Sequence, residues 1–555
     1  MREYLKKHGI YLLVLFIIGI LIMYIAGHDT THLGHDMQFH IPNLQSLSHY
    51  LDIFHGKILA PAITEVDGIG YGLYLFYPAL PHLVYAFGYQ FFSLFSISLL
   101  DSVFLMHILL TFVSTFLMYH LSYKFSKNSK IAFLTGLIFI FFPYRLSNYF
   151  IRYALNESLS FLFIPLILLG LFYLKEKHYK PFFLCFTLGY IGLLYSHLVI
   201  SFYFTLFLLP YLLIYRKEIF QKESILSIGK SVLVVTLCFL PFLVTLIEHA
   251  SLPYLVYQDG YMTSLSLLEQ NTLQIRDYFL ENVSDWSVTY YVPFMVLILL
   301  GISLFYLFLK RKDKNLSFYK VLFLITFLAV LFTLPCFPWK LLPHFFWMIQ
   351  FPWRLETLLV ISVSLLAPLC LREFPYKFVF PILVVFLIGT QISYPLFLNN
   401  REYHMEESSI TTAYQTGNLH EYYLSSYLDN IDYYTQRGDS LLIEKGSADI
   451  RVQESTFPAI KWTVEKAEEG TIIELPRAYY KGYVMRKDGK KVPFHISKQG
   501  FLAVEVQDGT YELLYKGTLL QRGSVWFSII GLTILIGYSL YQKKKLFQRK
   551  EKIFT

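Results

Sequence analysis

GHDMQFH (Gly34–His40) and GYGLYLFYPALPH (Gly70–His82) follow the first apolar run of this 555-residue chain, and their reading governs the rest. Asp36 stands among histidines just beyond a stretch suited to the membrane. The aromatic, proline-punctuated segment behind it suits the bilayer interface, where tyrosine rings sit at headgroup depth. A carboxylate placed there suits chemistry on a lipid-linked substrate.

Composition supports a membrane setting. Hydrophobic residues make up 55% of the chain, aromatics 19% and charged residues 15%, far too apolar for a soluble protein of this length. A helical span needs roughly 20 apolar residues, and about twelve such segments are expected. They start near Ile10, Leu99, Ile131, Glu157, Pro181, Ser201, Ile228, Tyr291, Phe318, Leu355, Phe378 and Val525. Arg2, Lys6 and Lys7 precede the first span, which predicts a cytoplasmic N-terminus. Alternate crossings then put most lysine and arginine clusters inside, from Lys124/Lys127/Lys130 to Lys543/Lys544/Lys545, so both termini are expected in the cytoplasm.

The formal charge of +8 is thus spread over short turns, and nucleic acid is not an expected partner. The first span is followed by HDTTHLGHD, without a small-residue cleavage site, and reads as a retained signal-anchor. Cys185, Cys238, Cys336 and Cys370 show no paired spacing, so neither a disulfide framework nor a metal knuckle is indicated.

Three outside regions stand out: 27–98, 248–290 and 399–523. The last loses membrane composition and gains strand-like runs, TIIEL (Thr471–Leu475), FLAVEV (Phe501–Val506) and YELLY (Tyr511–Tyr515), divided by KDGKK and QDGT turns. The expected organisation is a transmembrane domain over 1–398, a small extracytoplasmic mainly-β domain over 399–523, and a last span with a basic cytoplasmic tail over 524–555.

Asp36 and His40 in GHDMQFH, Gly56, and the aromatic GYGLYLFYPALPH together resemble the bacterial membrane family labelled 6-pyruvoyl-tetrahydropterin-synthase-related, itself related to the GT-C glycosyltransferases. The likeness continues through PYRLSNYFIRYALNESLSFLFIPL (Pro143–Leu166), YSHL (Tyr195–Leu198) and IQFPWR (Ile349–Arg354). LPRAYYKGYVMRKDGKKVPF (Leu475–Phe494) resembles the β domain of YfhO-type membrane proteins, which are thought to glycosylate surface polymers such as lipoteichoic acid. Nothing in the residues suggests pterin chemistry. The resemblance implies a GT-C-like bundle, an extracytoplasmic active site and a polyprenyl-phosphate sugar donor. It also implies that an acid in the first outside loop serves as general base on the acceptor hydroxyl or holds a metal near the donor phosphate. By position in the motif that acid is Asp36. A divalent metal, Mg or Mn, is the one cofactor in question; no metal ligands are assigned.

Physical chemistry bears on the same residues. A hydroxyl is a weak nucleophile, and a carboxylate within reach can take its proton as attack proceeds; Asp36 is otherwise a solvated loop carboxylate or a helix N-cap. His40, four residues on, shares a helical face with it and either orients Asp36, contacts phosphate or sits at the interface. His28, Asp29, His32 and His35 crowd the same loop without a recognised metal-ligand spacing. Glu157 and Arg152 stand at the mouth of the fourth span, where an ionisable group faces a cavity or a partner. Glu157 is therefore a candidate second acid, and Arg145 and Arg152 are candidate phosphate ligands; an ion pair between helix ends is the alternative. His197 and Arg354 lie at outer span ends as further substrate-binding candidates, with a tight turn and headgroup snorkelling as their plain readings. Glu248 and His249 also end a span, as polar residues commonly do. Tyr71, Tyr74, Phe76 and Tyr77 are candidates to line a polyprenyl groove; Tyr74 and Tyr77 are counted with the substrate-binding set.

These readings converge on a membrane glycosyltransferase, inverting by direct displacement, that acts on an extracytoplasmic envelope polymer or glycolipid such as teichoic or lipoteichoic acid. A flippase and a donor-synthesising glycosyltransferase are its expected partners. A transporter or flippase of lipid-linked glycans is the competing class, but no internal repeat is visible. A non-catalytic assembly scaffold is the third.

Overall fold

The computed structural model describes residues 2–30, 34–51, 61–66, 68–258, 260, 263–274, 295–310, 316–371 and 420–554. His32, Gly56, the span expected near Phe378 and the basic residues Arg311, Lys312, Lys314, Arg372 and Lys377 lie outside them.

The helices in chain order begin with α1 (Arg2–Gly27), α2 (Met37–Tyr50), α3 (Leu73–Phe76), α4 (Leu80–Ser93), α5 (Leu99–Ser126) and α6 (Ser129–Phe141). Next come α7 (Pro143–Phe150), α8 (Leu155–Lys175), α9 (Tyr179–Leu194), α10 (Leu198–Leu206), α11 (Leu209–Ile214), α12 (Arg216–Ile219) and α13 (Lys222–His249). They are followed by α14 (Leu265–Gln270), α15 (Met295–Leu309), α16 (Ser317–Thr333), α17 (Glu356–Leu371), α18 (Ile431–Gln436) and α19 (Leu519–Phe554).

Among the described residues, 6 helical stretches are long and apolar enough to cross a membrane: Lys6–Gly27, Leu99–Ser126, Leu155–Lys175, Lys222–His249, Pro352–Cys370 and Leu519–Tyr541. A seventh arises if α6 and α7, bent by 43°, form one broken span. The chain is a multi-pass membrane protein. The shorter apolar stretches Tyr179–Leu194, Leu198–Ile214, Val296–Leu309 and Ser317–Thr333 also fall where spans are expected. They stop short of the roughly 20 residues a straight crossing needs, so helix length by itself does not yield about twelve.

The break after α6 has a local cause. A residue before proline is pushed out of the helical region, and Phe142 is extended at φ −60°, ψ 121°. Pro143 then opens α7 at a position where its missing N–H costs nothing. Enclosure sorts the spans: 78% of the apolar window in α8 and 83% in Pro352–Cys370 is buried, against 17% at the C-terminal helix. The first two form the centre of the bundle and α19 its margin.

Past residue 420 the backbone turns to strands β1 (Leu442–Lys445), β2 (Asp449–Thr456), β3 (Ala459–Glu465), β4 (Thr471–Ala478), β5 (Tyr483–Lys487), β6 (Lys490–Lys491), β7 (His495–Ile496), β8 (Phe501–Val506) and β9 (Gly509–Tyr515). They form two antiparallel sheets, ordered β1-β4-β8-β7 and β2-β3-β9-β5-β6. In β3, Ile460, Trp462 and Val464 point inward while Lys461 and Glu465 face out, the period-2 pattern of a half-buried strand. The KDGKK turn joins β5 to β6 with Asp488 and Gly489 at φ 47° and 81°, as a two-residue hairpin with left-handed central residues requires. Arg437 and Glu474, both buried, pair at 2.8 Å and tie the end of α18 to β4.

The β region and the segment between α1 and α5 share one apolar core. Ala478 N–H donates to the Ile69 carbonyl at 3.0 Å, and the Arg477 guanidinium donates to the Gly68 carbonyl at 2.5 Å. Tyr480 stacks on Tyr254 with ring centroids 5.7 Å apart, and it lies so close to Gly72 that a Cβ there would fall 2.4 Å from its ring. Glu248 and His249 take part in this junction: Lys481 Nζ donates to the Glu248 carbonyl at 2.6 Å, and Lys481 N–H to His249 Nε2 at 3.2 Å.

Candidate active site

Asp36 holds the N-cap position of α2, yet its carboxyl accepts no capping hydrogen bond. Backbone contacts fix it instead. His35 N–H donates to the Ile151 carbonyl at 2.7 Å and Asp36 N–H to the Arg152 carbonyl at 2.9 Å. This approach needs Gly34, where a Cβ would lie 2.8 Å from the Tyr153 Cβ and 3.2 Å from the Ile151 oxygen. The half-buried carboxyl of Asp36 therefore sits beside Arg152 without being its salt-bridge partner.

That partner is Glu157. Arg152 Nη1 meets Glu157 Oε2 at 2.6 Å, with both side chains buried. The guanidinium also donates to the Tyr144 oxygen at 2.9 Å and to Asn148 Oδ1, and it lies 4.5 Å from the centre of the Trp353 ring. Glu157 Oε1 accepts from Tyr144 at 2.5 Å, Thr357 at 2.6 Å and Asn148 at 3.4 Å. Such saturation makes Glu157 an anchor for Arg152. Tyr153, between them, takes the left-handed φ of 57°, uncommon for a bulky residue, and so turns the chain back on itself.

Arg354 closes the other side. Its Nη1 donates to Gln350 Oε1 at 2.8 Å and the Ile349 carbonyl at 3.1 Å, while Nε is buried with no hydrogen-bond partner among the described residues. Gln350 is also left-handed, at φ 59°. Strained backbone thus flanks both arginines.

Electrostatics bind these groups into one set. Burial raises the Asp36 carboxyl above its ordinary value, with the charge of Glu157 adding and those of Arg152 and Arg354 opposing. Burial works most strongly against the Arg152 charge, but Glu157, Tyr144 and Asp36 together outweigh it and hold the guanidinium protonated. Burial, then the Asp36 charge, pushes Tyr77 upward. His197 is lowered to about 3 by burial, with Arg354 and Arg152 adding and Glu157 opposing. Its Nδ1 accepts from Ile200 N–H at 3.3 Å as the cap of α10, so the neutral ring carries its proton on Nε2.

Not every expected residue joins this set. Arg145 is fully buried elsewhere, donating to the Thr111 hydroxyl and, at 3.3 Å, to the Ile140 carbonyl, and lying 5.1 Å from the centre of the Tyr149 ring. Tyr74 turns inward: its hydroxyl is 3.0 Å from His82 Nδ1, and His82 Nε2 is 2.8 Å from His40 Nδ1. Burial lowers both imidazoles, His82 to about 3, so the chain is a neutral relay. Among the described residues no three His, Cys, Asp or Glu side chains are grouped to hold a metal ion.

Two acids went unread in the sequence. Glu356 is fully buried at the start of α17, its charge felt by Tyr144, and neither oxygen has a hydrogen-bond partner among the described residues. It is an acid entering an apolar span, the same signal that marks Glu157. Glu421 reaches the Asp36 and Tyr77 side from the start of the β region, its carboxyl raised by burial and also by Asp36. Its polar surroundings in sequence carry no such signal.

Two guanidiniums can hold a phosphate through their forked donors, and a carboxyl of raised proton affinity beside them can accept a hydroxyl proton.

No family model matches the chain, and no curated protein matches it. Among solved structures, ArnT from Cupriavidus metallidurans bound to undecaprenyl phosphate aligns with a TM-score of 0.44 and 11% identity over 68% of this chain. The match spans 63% of the length of that protein. At that level the likeness carries no conclusion about chemistry.

Proposed function

We propose that this chain is a GT-C-type membrane glycosyltransferase that moves a sugar from a polyprenyl-phosphate donor to an extracytoplasmic envelope polymer or glycolipid, teichoic or lipoteichoic acid among the candidates. The observation that carries this reading is the half-buried, uncapped Asp36 carboxyl beside Arg152 and Arg354. In the proposed reaction the acceptor oxygen attacks the anomeric carbon and its proton passes to Asp36. The bond from that carbon to the phosphate oxygen breaks, and its electron pair leaves with the lipid phosphate. Arg152 and Arg354 stabilise the charge developing there. Direct displacement inverts the anomeric centre. Glu157 positions Arg152, and Tyr77 borders the acceptor side of Asp36.

The rest of the proposal follows from charge placement: about twelve crossings, both termini cytoplasmic and the Asp36 end outside. The parts are the bundle over 1–398, the β domain over 399–523 as acceptor holder, and the last span with its tail over 524–555. A flippase and a donor-synthesising glycosyltransferase would supply the sugar lipid.

The test compares envelope glycosylation and carrier lipids in cells with wild-type protein, no protein, or Asp36→Asn, with membrane insertion checked. Loss of one glycosyl substituent in both altered strains, with donor accumulating outside, supports the reading. Retention in Asp36→Asn removes Asp36 from the mechanism. Donor trapped on the cytoplasmic face of deletion cells supports a flippase instead.

A further inference from the structure

At the opposite end of the bundle from Asp36, a cavity of about 710 Å³ opens between the α8–α9 turn, α13 and α19. Its rim and its floor differ in kind. Lys177, Lys180 and Lys230 line the rim, faced by a single carboxylate, Glu223. Among the described residues none of the three ammonium groups is in an ion pair or a hydrogen bond, although Lys175 nearby pairs with Glu176 at 3.1 Å. The floor is apolar: Phe183 of α9 packs on Tyr538 of α19 with centroids 4.6 Å apart, beside Leu233 and Ile534.

Lys230 makes the site unusual. It lies eight residues into α13, about 12 Å along the helix axis from Lys222, inside a stretch apolar enough to span a membrane. A lysine on such a helix extends toward the headgroups or meets an anion. Lys177 and Lys180 add positive charge to the same cleft, more than Glu223 alone balances.

We propose that this cavity binds a diacyl phospholipid with an anionic headgroup, its phosphate among Lys177, Lys180 and Lys230 and an acyl chain along Phe183, Leu233 and Ile534. The match is one of charge and polarity: a cationic rim over an apolar trough between two spans complements an anionic amphiphile. Basic pockets between spans on the cytoplasmic side bind such lipids. The lipid would fill the space between α13 and α19 and so fasten the marginal last helix to the bundle. This site is independent of the glycosyltransferase reading.

Native mass spectrometry of the full chain in detergent, with phosphatidylglycerol and phosphatidylcholine offered at equal concentration, tests it. Three lysines predict a preference for phosphatidylglycerol on the order of 100-fold. Lys177→Gln/Lys180→Gln/Lys230→Gln should bring it to near parity, and Leu233→Trp, which leaves every charge in place, should reduce retention of both lipids. Should the triple variant fail to fold, Lys230→Gln alone should cut the preference about fivefold. Equal retention of the two lipids by the wild type overturns the proposal. So does displacement of phosphatidylglycerol by equimolar undecaprenyl phosphate, which would make the occupant a polyprenyl lipid.

Discussion

Arg152 and Glu157 allow a quantitative test of whether the centre of the site is built around a buried ion pair. Removing one partner of such a pair costs about 3–5 kcal/mol, because the other charge stays buried. The two single variants should differ within that range. Glu157→Leu leaves Arg152 hydrogen-bonded to the neutral Tyr144 and Asn148 oxygens, with only the half-buried Asp36 carboxyl near its charge, and deprives Tyr144 and Thr357 of their acceptor, so it belongs at the upper end, about 5 kcal/mol. Arg152→Leu leaves Glu157 with three neutral donors and belongs nearer 3 kcal/mol. Replacing both removes the charges together, and the double variant should lose only about 3–4 kcal/mol, for the Tyr144, Asn148 and Thr357 donors left without an acceptor, rather than the roughly 8 that independent effects would give. Reversible unfolding in mixed micelles of a mild and a denaturing detergent, followed by intrinsic fluorescence, measures all four corners of the cycle. Additivity within about 0.5 kcal/mol refutes the coupling, and single costs below about 1 kcal/mol would be those of a solvated pair. The double variant also separates stability from function: it should fold and yet transfer no sugar.

Three further outcomes are expected. Asp36→Asn should lower sugar transfer by about 10²–10⁴-fold; since the active form is the carboxylate and burial raises its proton affinity, wild-type activity should fall with decreasing pH through a midpoint above the ordinary 3.8, whereas a midpoint at or below that value would contradict the buried setting. Glu356→Gln, which removes an unpartnered buried acid beside Glu157 and Arg152, should leave the unfolding midpoint unchanged or raise it; a loss above about 2 kcal/mol would show a charge partner that the packing does not contain. Gly72→Val should drive a methyl-bearing carbon into Tyr480 and cost about 1–3 kcal/mol, read as faster proteolysis of the β region; an unchanged rate would mean Tyr480 does not hold that junction.

The rule that charge inside an apolar run calls for a partner singled out Arg152, Glu157, His197 and Arg354 in the sequence, and the structure places their charges within reach of one another. The rule could not say which charges meet. Arg145 and Arg152 are seven residues apart and look alike in the chain, but the turn at Ile151–Tyr153 sends one toward Glu157 and leaves the other beside Thr111. Tyr74 and Tyr77 share an aromatic run, and the short α3 directs the first to His82 while the second stays within reach of the Asp36 charge. Strand segments read well because alternation and Asp-Gly turns are local signals; TIIEL, FLAVEV and YELLY fall within β4, β8 and β9. Span counting reads less well, since prolines such as Pro143 divide an apolar run into helices that are individually too short.

The hydrogen bonds between residues 253–256 and 421–425, with the Arg477 contact to Gly68, have a consequence for biosynthesis. Asp36, Arg152, Arg354 and Glu421 enter one neighbourhood from points spread over most of the chain. The ribosome delivers Glu421 last, and Arg477 of β4, which completes the clamp on Gly68, is translated later still. The bundle is thus inserted in the bilayer with one wall of the Asp36 neighbourhood absent, and a product ending before the strands would lack the contact that closes it.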